Sequence, residues 1–126
     1  MTVEMVAQAI VSEFQKLEIC PIYDYWLPPE ENPGLYVNLG TSTSDMTPTK
    51  HDSGIEELSL SFHVWTDRLD HRGKVADIMN VLTAIARRVK FKGKSIALTY
   101  TDRKVLTDTS TATPFLHGVV YFEFLH

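Results

Sequence analysis

The densest group of ionisable residues in the chain is Asp67-Arg68-Leu69-Asp70-His71-Arg72. An Asp–His pair can polarise a water or activate a nucleophile, so Asp67, Asp70 and His71 define one reading, that of a small hydrolase. Such a site also needs partners converging from elsewhere in the fold. The segment directly precedes a helical pattern, and there acidic residues cap the helix and meet its dipole while adjacent bases form surface pairs. That structural role is the stronger reading, with Asp70 as the expected cap.

The remaining chemistry-bearing residues are sparse. The histidines are His51, His63, His71, His117 and His126; no two lie three or four positions apart, so no helix can present a metal pair. His63 falls on the polar side of an alternating segment and reads as a surface or interface residue. Glycine-rich phosphate loops, CxxC and HExxH are absent, so neither a cofactor nor a metal is expected. A single cysteine, Cys20, rules out an internal disulfide and reads as a structural thiol. Arg87, Arg88, Lys90, Lys92 and Lys94 form a basic cluster. It could contact phosphates, but the chain carries a net charge of −4 and no nucleic-acid motif, so a helix end and solvated turn, or an acidic neighbour, explain it better.

The net charge conceals an asymmetry. Residues 1–57 hold ten acids and two bases, whereas residues 58–126 hold six acids and ten bases. The acidic portion includes Glu30, Glu31, Glu56 and Glu57. Such a division suits copies that associate head-to-tail, with the acids of one facing the basic cluster of the next.

The elements that must position these residues follow from apolar periodicity. Val3, Val6, Ala7, Ile10, Val11, Phe14 and Leu17 recur at helical spacing over residues 2–17, with Thr2 as a cap. Ile22–Trp26 and Leu35–Gly40 read as strands on either side of a proline-rich turn. Leu58, Leu60, Phe62 and Val64 alternate with Ser59, Ser61, His63 and Trp65 in a half-buried strand. A second helix runs from about Arg72 to Val89 on a stripe of Val75, Ile78, Met79, Leu82, Ile85, Ala86 and Val89. Two further strands span about Ser95–Leu106 and Phe115–Leu125. Between Thr41 and Gly54 the chain offers little to bury, so this stretch, with Ser44, Asp45, Met46, Lys50 and His51, is expected to be a long mobile assembly loop or an extended hairpin tip. The order α-β-β-β-α-β-β predicts one α+β domain over residues 1–126, with two helices on one face of a mostly antiparallel sheet.

At 126 residues, 44% hydrophobic and 22% charged, the chain has the make-up of a single globular domain. No apolar run approaches the roughly eighteen residues that mark a membrane span, so no membrane partner is expected. The first residues lack the basic and apolar regions of a secretory signal, which points to synthesis in a cytoplasm.

Several segments together resemble the small tail-completion proteins of long-tailed phages and prophages, the tail terminator and tail-to-head joining proteins. Ile22-Tyr23-Asp24-Tyr25 leads through a proline-rich turn to Tyr36-Val37-Asn38-Leu39-Gly40. A Ser/Thr-rich stretch follows, then Leu58-Ser59-Leu60-Ser61-Phe62-His63-Val64-Trp65 before a helix, and finally His117-Gly118-Val119-Val120-Tyr121-Phe122-Glu123-Phe124. The resemblance runs from the first helix to the last strand. It implies a non-enzymatic virion protein at the head-proximal end of a tail, made in the cytoplasm of a bacterial host. Its implied partners are further copies of itself in a hexameric ring, the tail-tube protein and the head-completion or connector protein. DNA would pass through the ring's channel without specific binding. A head-side neck or adaptor ring is the nearest alternative, and a binding module that shares the fold is another.

Overall fold

The computed structural model describes residues 3–26, 34–47, 55–91, 93–110 and 113–125. Helix α1 spans Val3–Gln15 and buries Val3, Val6, Ala7, Ile10, Val11 and Phe14, the stripe expected from spacing. Leu17 lies beyond the helix end and is 47% exposed, because the chain leaves helical geometry there and Glu18 adopts a positive φ of 52°. Thr2, the expected cap, falls outside the described residues.

Strand β1 is only Ile22–Tyr23, shorter than the Ile22–Trp26 segment that alternation suggested. Strands β2 (Leu35–Thr47), β3 (Ile55–Thr66), β6 (Ala97–Asp108) and β7 (Phe115–Leu125) are long, and a small hairpin of β4 (Lys90–Phe91) and β5 (Lys94–Ser95) follows helix α2 (Arg72–Arg88). The five-stranded sheet has the order β1-β2-β3-β7-β6. Every neighbouring pair in it is antiparallel except β1–β2, so the sheet is mixed, with one short parallel pair at its edge.

Of the two forms expected for 41–54, loop or extended hairpin, the described part takes the hairpin form: β2 continues through Thr41–Thr47 as a ladder against β3, with Ser44 opposite Leu58, Asp45 opposite Glu57 and Met46 opposite Glu56. Backbone pairing supplies here what apolar side chains do not. Residues 48–54, including Lys50 and His51, lie outside the described residues. A register shift between Leu39 and Ser42 marks an irregularity in the ladder across Gly40 and Thr41.

Period-two alternation assigns the faces. Leu58, Leu60, Phe62 and Val64 of β3 and Leu116, Val120, Phe122 and Phe124 of β7 point to the helices, where both stripes complete the main core. Gly118 sits in this face of β7 directly beneath α2; a Cβ there would lie 2.6 Å from Val75 Cγ1. All seven apolar residues expected to face inward from the second helix are buried, Val89 as the residue that caps it. The other face of the sheet is also covered at one end, by a second cluster of Tyr36, Trp65 and Phe115 with Tyr23 against it. Strand β3 is therefore buried on both faces here rather than half-buried.

Candidate functional site

The Asp67–Arg72 segment forms a turn rather than a converging catalytic group. The Arg68 guanidinium makes two bonds to the Asp70 carboxylate, Nε to Oδ1 at 3.2 Å and Nη2 to Oδ2 at 3.0 Å. This pairing holds the exposed Asp70 carboxyl below its ordinary pKa and occupies it. The helix cap is His71, not Asp70, and it makes no side-chain capping bond. Its Nδ1 lies 3.2 Å from the hydroxyl of buried Thr66, which also accepts the Arg68 backbone N–H. The Thr66 turn thus organises the entry to α2, a task the sequence assigned to Asp70.

The basic cluster is divided by the fold. Arg87 faces β6 and lines an open groove of about 410 Å³ with Asn80, Thr83, Thr101, Asp102 and Arg103. Arg88 and Lys90 turn the other way, into a groove of about 340 Å³ shared with Ala9, Ser12 and Glu13 of α1. This split follows from helical geometry, since successive residues project about 100° apart. Lys94 lies in β5, and Lys92 is outside the described residues. Arg103, which was not singled out from sequence, joins Arg87 because β6 forms the sheet edge beside α2; its guanidinium donates to Asn80 Oδ1.

Of the acids, Glu56 and Glu57 lie on β3 in the arm it forms with the extended part of β2, and Glu30 and Glu31 lie outside the described residues. The arm and the β6 groove stand on opposite sides of strand β7. Ser44, Asp45 and Met46 are positioned in the same arm.

The opposite sheet face carries a feature that sequence spacing could not reveal. His63 on β3 and His117 on β7 are diagonal neighbours, one pairing step apart, because Trp65 is opposite His117. Their rings face each other with His63 Nδ1 and His117 Nε2 2.6 Å apart, so one N–H donates to the other ring's lone pair. The His117 ring stacks on Trp65 with centroids 3.7 Å apart, and Trp26 meets His63 edge-on at 4.9 Å. Trp65 in turn donates its indole N–H to Asn38 Oδ1 at 2.8 Å. Burial lowers the pKa of both histidines, that of His117 to about 4 with the His63 charge as a second cause. The pair is therefore neutral near pH 7 and packs within an aromatic patch. Gly40 makes room for it, since a Cβ there would come within 2.4 Å of His63 Nε2. The signal lay in two alternating strands that place both histidines on one face, but only the strand order brings them together.

Cys20 is half-buried, and burial pushes its thiol up to about 11, so it stays protonated and unreactive, in keeping with a structural thiol. No group of three or more metal-ligating side chains assembles among the described residues. No described helix is long and apolar enough to cross a membrane.

No protein-family model matches the chain, and no curated protein matches it. Among solved structures, the chain is similar to the gp17 protein of bacteriophage SPP1, with a TM-score of 0.62 and 22% identity over 98% of this chain and 90% of that one. It is also similar to a chain of the virion of a native gene transfer agent particle, with a TM-score of 0.57 and 16% identity over 98% of this chain and 91% of that one. At these identities the likeness is one of architecture: the chain has the fold of a phage protein and of a gene transfer agent virion component.

Proposed function

We propose that this chain is a structural subunit of a phage or prophage tail, forming a ring that ends the tail tube and joins it to the head connector. The observation that carries the reading is a fold shared along 98% of the chain with a phage protein and a gene transfer agent virion component. The tail-completion resemblance of the sequence points the same way. So does the disposition of polar groups: the Asp67–His71 segment is spent on a turn, with the Asp70 carboxylate held by Arg68.

In this reading the subunits associate head-to-tail, acids of the N-terminal half against bases around the end of α2, and the tail-tube protein and connector bind the two rims. The ring is a hexamer, and DNA passes through its channel without being held. The proposed contributors are Glu56 and Glu57 on the acidic side and Arg87, Arg88, Lys90 and Lys94 on the basic side, with Glu30, Glu31 and Lys92 carried from the sequence. Residues 44–46 of the arm and Lys50 and His51 beyond it contribute to assembly.

Deleting the coding sequence from its phage or prophage and imaging the particles by electron microscopy tests this. Tails of irregular length that fail to join filled heads, restored by supplying the chain in trans, are expected. Normal joined particles in the deletion would refute it, and normal tails beside unfilled or leaking heads would favour a head-side ring.

A further inference from the structure

We infer that the groove between α2 and β6 is a carboxylate-binding site that receives the acidic β2–β3 arm of a second copy of this chain. The inference rests on the reading of the protein as a self-associating virion subunit and assigns the contact. Arg87 and Arg103 converge on the groove from two elements, and neither pairs with a carboxylate among the described residues. Arg103 is braced by Asn80 Oδ1, which fixes one side of its guanidinium; among the described residues its other N–H donors have no partner and keep the planar arrangement that carboxylates accept. The one acid at the groove, Asp102, has Oδ1 occupied by the Arg103 backbone N–H.

The complementary charge is on the same chain but out of its reach. Glu56 shares the helix-side face of the sheet with Arg103, whereas Glu57 shares the opposite face with Lys104. Neither glutamate has an ion-pair partner among the described residues. Arg103 is level with Phe62 through Val120, and Glu56 is six residues further along β3, about 20 Å at the usual strand rise. The pairing therefore cannot form within one molecule. A second copy placed beside β6 in the same orientation, and displaced by those six residues along the strands, brings Glu56 level with Arg103 and Glu57 level with Lys104, an acid to a base on both faces of the sheet, which is the arrangement of a heterologous contact. Strand β6 forms this edge over Ala97–Asp108 and, among the described residues, pairs only with β7, so backbone donors and acceptors also face the incoming arm.

The test uses two full-length variants, Glu56→Arg with Glu57→Arg, and Arg87→Glu with Arg103→Glu, followed by sedimentation velocity across protein concentration. The wild type is expected to associate, and each variant alone to associate at least about tenfold more weakly. An equimolar mixture should recover association, because reversed arms then meet reversed grooves in alternation. Recovery in the mixture also shows that both variants are folded. Variants that associate as well as the wild type would overturn the contact while leaving the ring intact. Variants with native circular dichroism whose mixture does not recover would overturn the arm as the occupant. A wild type that remains monomeric at every concentration would overturn the ring reading along with the contact.

Discussion

Replacing Gly118 with alanine tests how closely α2 is seated on the sheet. The new Cβ would lie 2.6 Å from Val75 Cγ1 and 3.1 Å from Met79 Sδ. Carbon atoms pack at about 3.5–4.0 Å, so about 1 Å must be found at Val75. Met79 can yield through its flexible thioether, but Val75 is fully buried and β-branched, with essentially one rotamer open to it in a helix. The helix itself must therefore lift. Overpacking of this kind costs about 1–3 kcal/mol, offset by about 0.4–1 kcal/mol from the reduced freedom of the unfolded chain. A net loss of about 1–2 kcal/mol lowers the melting temperature of a chain this size by about 3–8 °C. Urea and thermal unfolding of Gly118→Ala, Val75→Ala and the double variant measure it. Removing Val75 Cγ1 should relieve the clash, so the double variant is expected to be more stable than the sum of the single losses by about 1 kcal/mol. A Gly118→Ala protein as stable as the wild type, or strictly additive effects, would refute the seating argument.

Three further outcomes follow from the geometry. Because the folded protein holds His63 and His117 with lowered pKa values, the unfolded chain binds protons first, and stability falls as pH drops from about 6.5 toward about 4; His117→Phe should flatten that dependence in urea titrations between these limits. Asn38→Leu strands the buried Trp65 indole N–H and should cost about 1–3 kcal/mol in chemical denaturation, whereas Asn38→Asp keeps an acceptor for it. Asp70→Ala combined with His71→Ala should leave particle assembly intact, since these residues serve an exposed turn; loss of assembly in a well-folded double variant would restore the case for chemistry there.

Much of the fold was legible because its periodic signals are unmixed. The stripe from Val75 to Val89 and the alternation from Leu58 to Trp65 each fit one repeat, and both elements form where that repeat places them. The arm at Thr41–Thr47 was legible only as one of two alternatives, loop or extended hairpin, since its Ser, Thr and Asp side chains carry no alternation and its order comes from main-chain pairing with β3. The candidate interface was legible as charge and illegible as shape. Arg87 and Arg88 are adjacent in sequence yet serve different grooves, and Arg103 became a member only once β6 proved to be the sheet edge beside α2. His63 and His117 are 54 residues apart, beyond any local pattern, and met through the β3–β7 register.

That register also has a kinetic consequence. Hairpins β2–β3 and β6–β7 join neighbours in the chain, whereas the central β3–β7 ladder joins Thr66 to Leu116 and Glu57 to Leu125, partners 50 and 68 positions apart with α2 between them. Closing that ladder requires the loop entropy of the whole intervening segment before its hydrogen bonds form. The two hairpins can therefore form early, and the step that limits folding is their meeting at the centre of the sheet. Until then the apolar sides of both hairpins and the inner edges of β3 and β7 stand open together, so the interval before they join is when a newly made chain is most prone to pair with the wrong molecule.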